Sequence, residues 1–170
     1  MKKYFSSPSV LLTLLFCGCL SVAAAATLSQ DEDFAMNAAA AGKKEIELGR
    51  LASQRAHSGA VKGFGRRMVT DHTLAANKLK ALATRERISL PQGLDAAGQA
   101  AVDQLASLSG KEFDRAYMEM MVTDHEKAVA DFEAESKTGT NRRLKSFATQ
   151  TLPTLRRHLQ MARATLSGLH

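Results

Sequence analysis

The pentapeptide Met68-Val69-Thr70-Asp71-His72 returns unchanged as Met121-Val122-Thr123-Asp124-His125, and the fold is read outward from these two copies. Each copy sits midway along a run whose apolar residues recur every three or four positions, the spacing of one helix face. Around the first the stripe is Val61, Phe64, Met68, His72, Ala75, Leu79 and Leu82. Around the second it is Phe113, Tyr117, Met118, Met121, Val122, His125, Ala128, Val129 and Phe132. Both histidines fall on the inward face, so both rings point into a core where an imidazole needs a partner.

Two further runs share that spacing. One starts near Gln30, with Asp31, Glu32 and Asp33 opposing the positive end of the helix, and continues to about Arg55. Its stripe is Phe34, Ala38, Ala41, Glu45, Leu48 and Ala52, so Glu45 is a carboxylate on an apolar face, while Glu47 lies on the solvated side. The other follows the turn Thr138-Gly139-Thr140-Asn141, with Leu144, Ala148, Thr151, Leu155, His158, Ala162 and Leu166 on one side and Pro153 a turn before His158.

Ser58-Gly59 breaks the chain so briefly that the first two helices must lie antiparallel. Pro91 and Gly93 mark a loop, after which Asp95 caps a shorter helix to about Ala106. Ser109-Gly110-Lys111-Glu112 has the spacing of a capping box and opens the third long helix, which runs to about Ser136. The expected fold is therefore all-α: an antiparallel four-helix bundle of the ferritin-like kind, with a short crossover helix between the second and third long helices.

The N-terminus has a different character. Lys2 and Lys3, the apolar run Val10 to Leu20 and the small residues Ala23 to Ala26 read as a secretory signal peptide spanning residues 1–26, with the domain at 27–170. Cleavage after Ala26 takes 26 residues from 170 and leaves 144, enough for one domain with its own core. The apolar run is too short to span a membrane stably. Cys17 and Cys19 leave with the signal, which excludes a disulfide framework and a cysteine nucleophile. The alternative to this periplasmic or secreted protein is a lipoprotein anchored at Cys19.

Without Lys2 and Lys3 the chain keeps 21 basic against 17 acidic side chains, a charge of +4 that favours contact with an anionic envelope surface. Nucleic acid is not expected, because the pairs Arg66-Arg67, Arg142-Arg143 and Arg156-Arg157 have no aromatic residues among them. No Gly-x-Ser-x-Gly elbow or phosphate-binding glycine loop is present, and no catalytic residue is assigned. The chain reads more as a binding module than as an enzyme.

Glu45, His72, His125 and His158 each stand near the middle of a stripe. With the helices in register, the four converge at one level, where three imidazoles and a carboxylate suit one transition-metal ion: zinc, iron, copper or manganese. Asp71 and Asp124 point about 100° away from the histidines they precede and are read as outer acceptors or surface groups. The plain alternative is that the histidines bond to Glu45, Tyr117, Thr151 or backbone carbonyls and fix helix register without a metal. Met68, Met118, Met120, Met121 and Met161 suit a cuprous ion or ordinary core filling. His57 and His170 are expected in solvent.

The series Glu45-Ile46-Glu47-Leu48-Gly49, Phe64 through Asp71-His72, Leu108-Ser109-Gly110 with Phe113-Asp114 and Tyr117, Asp124-His125-Glu126, and Thr151-Leu152-Pro153-Thr154-Leu155 with His158 resembles a bacterial exported family of unknown function. Its members are often labelled predicted outer-membrane proteins and are assigned a ferritin-like fold. The resemblance covers about Phe34 to Ala164; no activity is established for the family, and it implies at most a modified site centred on Glu45, His72, His125 and His158. From those core residues the chain is expected to hold a metal ion or to sense acid or stress, since protonating buried imidazoles would charge the core. Ferritin-like carboxylate enzymes use Glu-x-x-His pairs, and no histidine here has glutamate three residues before it. A di-iron oxidase is therefore not expected.

Overall fold

The computed structural model describes Met1 and residues 29–169; His170 and residues 2–28, which include both cysteines and all but Met1 of the expected signal segment, lie outside the described residues. Five helices follow in order: α1 Gln30–Arg55, α2 Gly59–Glu86, α3 Ala96–Ala106, α4 Gly110–Thr138 and α5 Arg142–Ser167. No strand occurs among the described residues.

Each helix start has a local cause. Ser29 and Glu32 close a full capping box on α1, Ser58 accepts from the Ala60 amide, Asp95 from Gly98, and Asn141 from Arg143 and Leu144. The box expected at Ser109–Glu112 does not form: α4 starts there, but Ser109 makes no side-chain cap bond. Gly110 enters the helix at φ +59°, a turn open to glycine, and this redirects Ser109 away from the amides it would cap. Pro153 is carried inside α5.

Cross-links show how the rods run. Gln30 reaches Thr138 and Lys44 reaches Asp124, so α1 is antiparallel to α4. Asp71 meets His158 and Glu86 meets Arg143, so α2 is antiparallel to α5. The bundle is two hairpins, α1/α2 and α4/α5, docked face to face. Helices α2 and α4 point the same way, so residues 87–109 must travel the length of the bundle, and α3 packs on α1 along that path.

The core falls into two apolar clusters. Leu48, Val61, Phe64, Met68, Phe113, Tyr117, Met118 and Met121 fill one end, and Phe34, Leu79, Phe132, Leu144, Phe147 and Leu155 fill the other. The methionines expected either at a copper ion or in the core thus pack with aromatic and aliphatic side chains. On every long helix the switch from one cluster to the other falls at Glu45, His72, His125 or His158.

The α1 stripe departs from expectation. Ala38 is only half-buried and Ala41 is exposed, whereas Ala35, Ala39 and Ile46 are buried. Ala38 and Ala41 line a cavity, while the crossover segment at Leu90 to Leu94 lies beside Ala39 and Ile46. A helix covered on two sides buries more than one stripe. No helix among the described residues is long and apolar enough to cross a membrane.

Candidate metal centre between the two hairpins

The four stripe-centre residues meet. Glu45 is 2% exposed, His72 7%, His125 0% and His158 1%, a polar layer closed from solvent. The three imidazole rings sit 5.4 to 5.6 Å apart, centroid to centroid. One nitrogen from each ring lies within 4.8 Å of the other two.

Each ring is held from outside by an acceptor. His72 Nδ1 lies 2.8 Å from Glu45 Oε2, His125 Nδ1 lies 2.8 Å from the Met121 carbonyl oxygen, and His158 Nε2 lies 2.9 Å from Asp71 Oδ2. A carboxylate and a carbonyl only accept, so these three nitrogens carry the donated protons. The opposite nitrogens, His72 Nε2, His125 Nε2 and His158 Nδ1, are buried without a hydrogen-bond partner. A buried nitrogen that finds no partner is costly, and three in one layer call for a ligand.

Glu45 stands behind the rings: it bonds His72, and its Oε1 is 3.7 Å from His125 Nδ1. Asp71 belongs to the helix of His72 but serves His158 of α5, a pairing that depends on how the hairpins dock. Asp124 reaches no histidine and pairs with Lys44 at 2.8 Å. Of the alternative partners, a backbone carbonyl is used by His125, while Tyr117 Oη is buried without a partner. His57 is exposed.

Electrostatics sharpen the layer. Burial pushes Glu45 up, but the His72 charge and hydrogen bond, with His125 and Lys44 beyond, draw it down to about 2. Burial pushes His72 down, and the neighbouring Glu45 and Asp71 more than reverse this, so it lies above the ordinary imidazole value. His158 goes the other way: burial, with His72 and His125 close by, outweighs its bond to Asp71 and takes it to about 4.

Three buried carboxylates escaped the sequence reading of the core. Asp114 accepts from the His57 and Ser58 amides at 2.9 and 2.6 Å and so fastens the α1–α2 link. Asp31 accepts from the amides of Thr140 and Asn141 and from the Thr140 hydroxyl. Glu135, 1% exposed, sits beside Asp31 with neither oxygen hydrogen-bonded by a donor. The only local signal for these roles was acidic residues on or beside apolar stripes; their partners are remote in sequence.

Fold and layer together define a helical-bundle domain with a three-histidine cluster at its centre. The chain belongs to a domain-of-unknown-function family, DUF4142, whose pattern matches residues 17–165. No curated protein matches. A crystal structure of a DUF305 fragment from Deinococcus radiodurans is similar, with a TM-score of 0.73 at 15% identity over 84% of this chain and 98% of that one. At that identity the likeness concerns the fold alone.

Proposed function

We propose that this chain is an exported metal-binding module that holds one divalent transition-metal ion on His72 Nε2, His125 Nε2 and His158 Nδ1. The carrying observation is the set of three buried ring nitrogens without partners, each opposite a nitrogen fixed by an acceptor. That outer bond sets the tautomer and aims the lone pair, the usual arrangement behind a histidine ligand. Nitrogens within 4.8 Å of one another share a point at most about 2.8 Å from each. An inward shift of about 0.7 Å per ring reaches ordinary metal–nitrogen lengths of about 2.1 Å.

Charge supports a divalent ion. The rings are neutral as ligands, Glu45 and Asp71 supply two negative charges, and Lys44 with Asp124 cancels itself. Two carboxylates therefore balance a 2+ ion in a layer closed to water. Three protein ligands leave a further position open. Glu45, which its stripe position places among the expected ligands, is in this reading the acceptor that orients His72. Export rests on the reading of residues 1–26, and contact with an anionic envelope on the surplus of basic side chains.

Metal bound per chain, measured after cobalt(II), zinc(II) or copper(II) loading and gel filtration, tests this. Wild type should retain one equivalent and the His72→Ala, His125→Ala double variant almost none. Equal retention by both would reduce the histidines to fixing helix register.

A further inference from the structure

A cavity of about 640 Å³ runs along the seam between the hairpins, beginning at the histidine layer. Its walls are mainly apolar, supplied by Phe34, Leu79, Phe132, Phe147 and Leu155. His72 and His158 stand at one end and Glu135 at the other. Ten residues of α4 separate the His125 layer from Glu135, a helical rise of about 15 Å. Beside this space Ala38 and Ala41, which a packed core would cover, stay half-buried and exposed. The volume lies in the range of sites for small organic ligands, about 300 to 1,000 Å³.

The lining also selects charge. Both of its lysines already face carboxylates: Lys44 pairs with Asp124 at 2.8 Å, and Lys127 pairs with Asp131 at 2.5 Å in an exposed contact on one helix face. The carboxylates nearest the rings are engaged by His72 and His158. No uncommitted cation in this lining can hold an anionic head group, and a charged head without a partner is expelled from apolar surroundings. A neutral oxygen donor has a place to go, because three imidazoles leave one position on the ion open.

We propose that this cavity is the binding site for an elongated, uncharged, mainly apolar molecule with a hydroxyl or phenol oxygen at one end. The apolar body lies between the hairpins, and the oxygen meets the ion on His72, His125 and His158. The second half of this statement rests on the proposed metal site, whereas the first does not.

The test uses 4-octylphenol below its micellar concentration, with octylbenzene and 4-octylbenzoate as controls. Calorimetry on metal-free wild-type protein should show saturable one-to-one binding of octylphenol and octylbenzene, with octylbenzoate weaker by about tenfold or more. In Ala38→Phe, which places a ring in the cavity away from the histidines, octylphenol binding should fall by about tenfold while the circular dichroism and melting curve stay those of a folded bundle. In the cobalt(II) protein, octylphenol should shift the visible absorption bands and octylbenzene should leave them unchanged.

Absence of saturable binding to the metal-free protein, equal binding of octylbenzoate, or undiminished binding by Ala38→Phe would overturn the cavity assignment. Cobalt retention without a spectral shift would overturn the oxygen contact alone. Failure to retain cobalt would remove the metal site and, with it, that contact, leaving the calorimetric result to decide the cavity.

Discussion

Gly49 of α1 and Gly65 of α2 meet backbone to backbone: a Cβ built on either would stand 2.8 Å from the carbonyl oxygen of the other. This approach lies about one turn from Glu45 on α1 and about two turns from His72 on α2, and it brings the two helices close enough for their 2.8 Å contact. Gly65→Ala should therefore lower stability by about 1–3 kcal/mol, because the obstructing atoms are backbone and only a shift of the helices relieves them. Thermal melts of Gly49→Ala and Gly65→Ala check this, with Gly42→Ala as control, since no neighbour lies within 4 Å of a Cβ there.

Asp71 and Asp124 occupy the same place in the repeated pentapeptide but do different work. Asp71 orients His158, whereas Asp124 pairs with Lys44. Asp71→Asn should weaken metal binding by about 10- to 100-fold, the usual effect of removing the acceptor behind a histidine ligand. Asp124→Asn should leave affinity within about threefold, because it removes an ion pair that touches no ring. Competition titrations against a chromogenic chelator measure both.

The carboxyl pair at the far end of the bundle should make stability depend on pH. Burial, then the charge and hydrogen bond of Asp31, push Glu135 up to about 7, with Lys145 only partly opposing. Because this folded value lies above the unfolded one, the contribution is fully present below about pH 4.5 and is lost as pH rises through 7. Its size is on the order of 2 kcal/mol. Histidines in the central layer add slopes of their own, so the informative quantity is the difference between wild type and Glu135→Gln. Urea melts from pH 5 to pH 8 should show the glutamine variant gaining on wild type as pH rises; a constant difference would contradict the assignment.

Asp114→Ala should cost about 1–2 kcal/mol, since it removes the buried acceptor of the part-buried His57 and Ser58 amides at the α1–α2 link. Asp114 lies in the buried end of the bundle where Phe113 and Tyr117 pack, so metal affinity should change much less than stability. Chemical denaturation and metal titration of the same variant separate the two effects.

How much of this was legible in the sequence depended on whether the cause was local. Helical spacing located Glu45 and the three histidines at the middle of their stripes, and that periodicity sufficed to bring them to one level. Helix ends followed local signals too, but Ser29-x-x-Glu32 and Ser109-x-x-Glu112 carry the same signature, and only the first closes a capping box. The difference is the backbone of Gly110, which the spacing does not encode. Asp71 acts on His158, 87 positions away, and Asp31 on Thr140, 109 away. Those pairings, and the buried place of Glu135, arise only when the hairpins dock. Ala38 and Ala41 misled for the same reason: their stripe faces a hollow.

The division of the histidine layer between the hairpins gives assembly a direction. The first half of the chain brings one imidazole with Glu45 and Asp71, while the second brings the other two rings. On the proposed assignment neither half alone carries all three ligands, so a nascent chain would pass through synthesis unloaded and take up an ion only once the last helix had seated. Loading would then report that tertiary structure is complete, and a captured ion would act as a rivet across the joint between the halves.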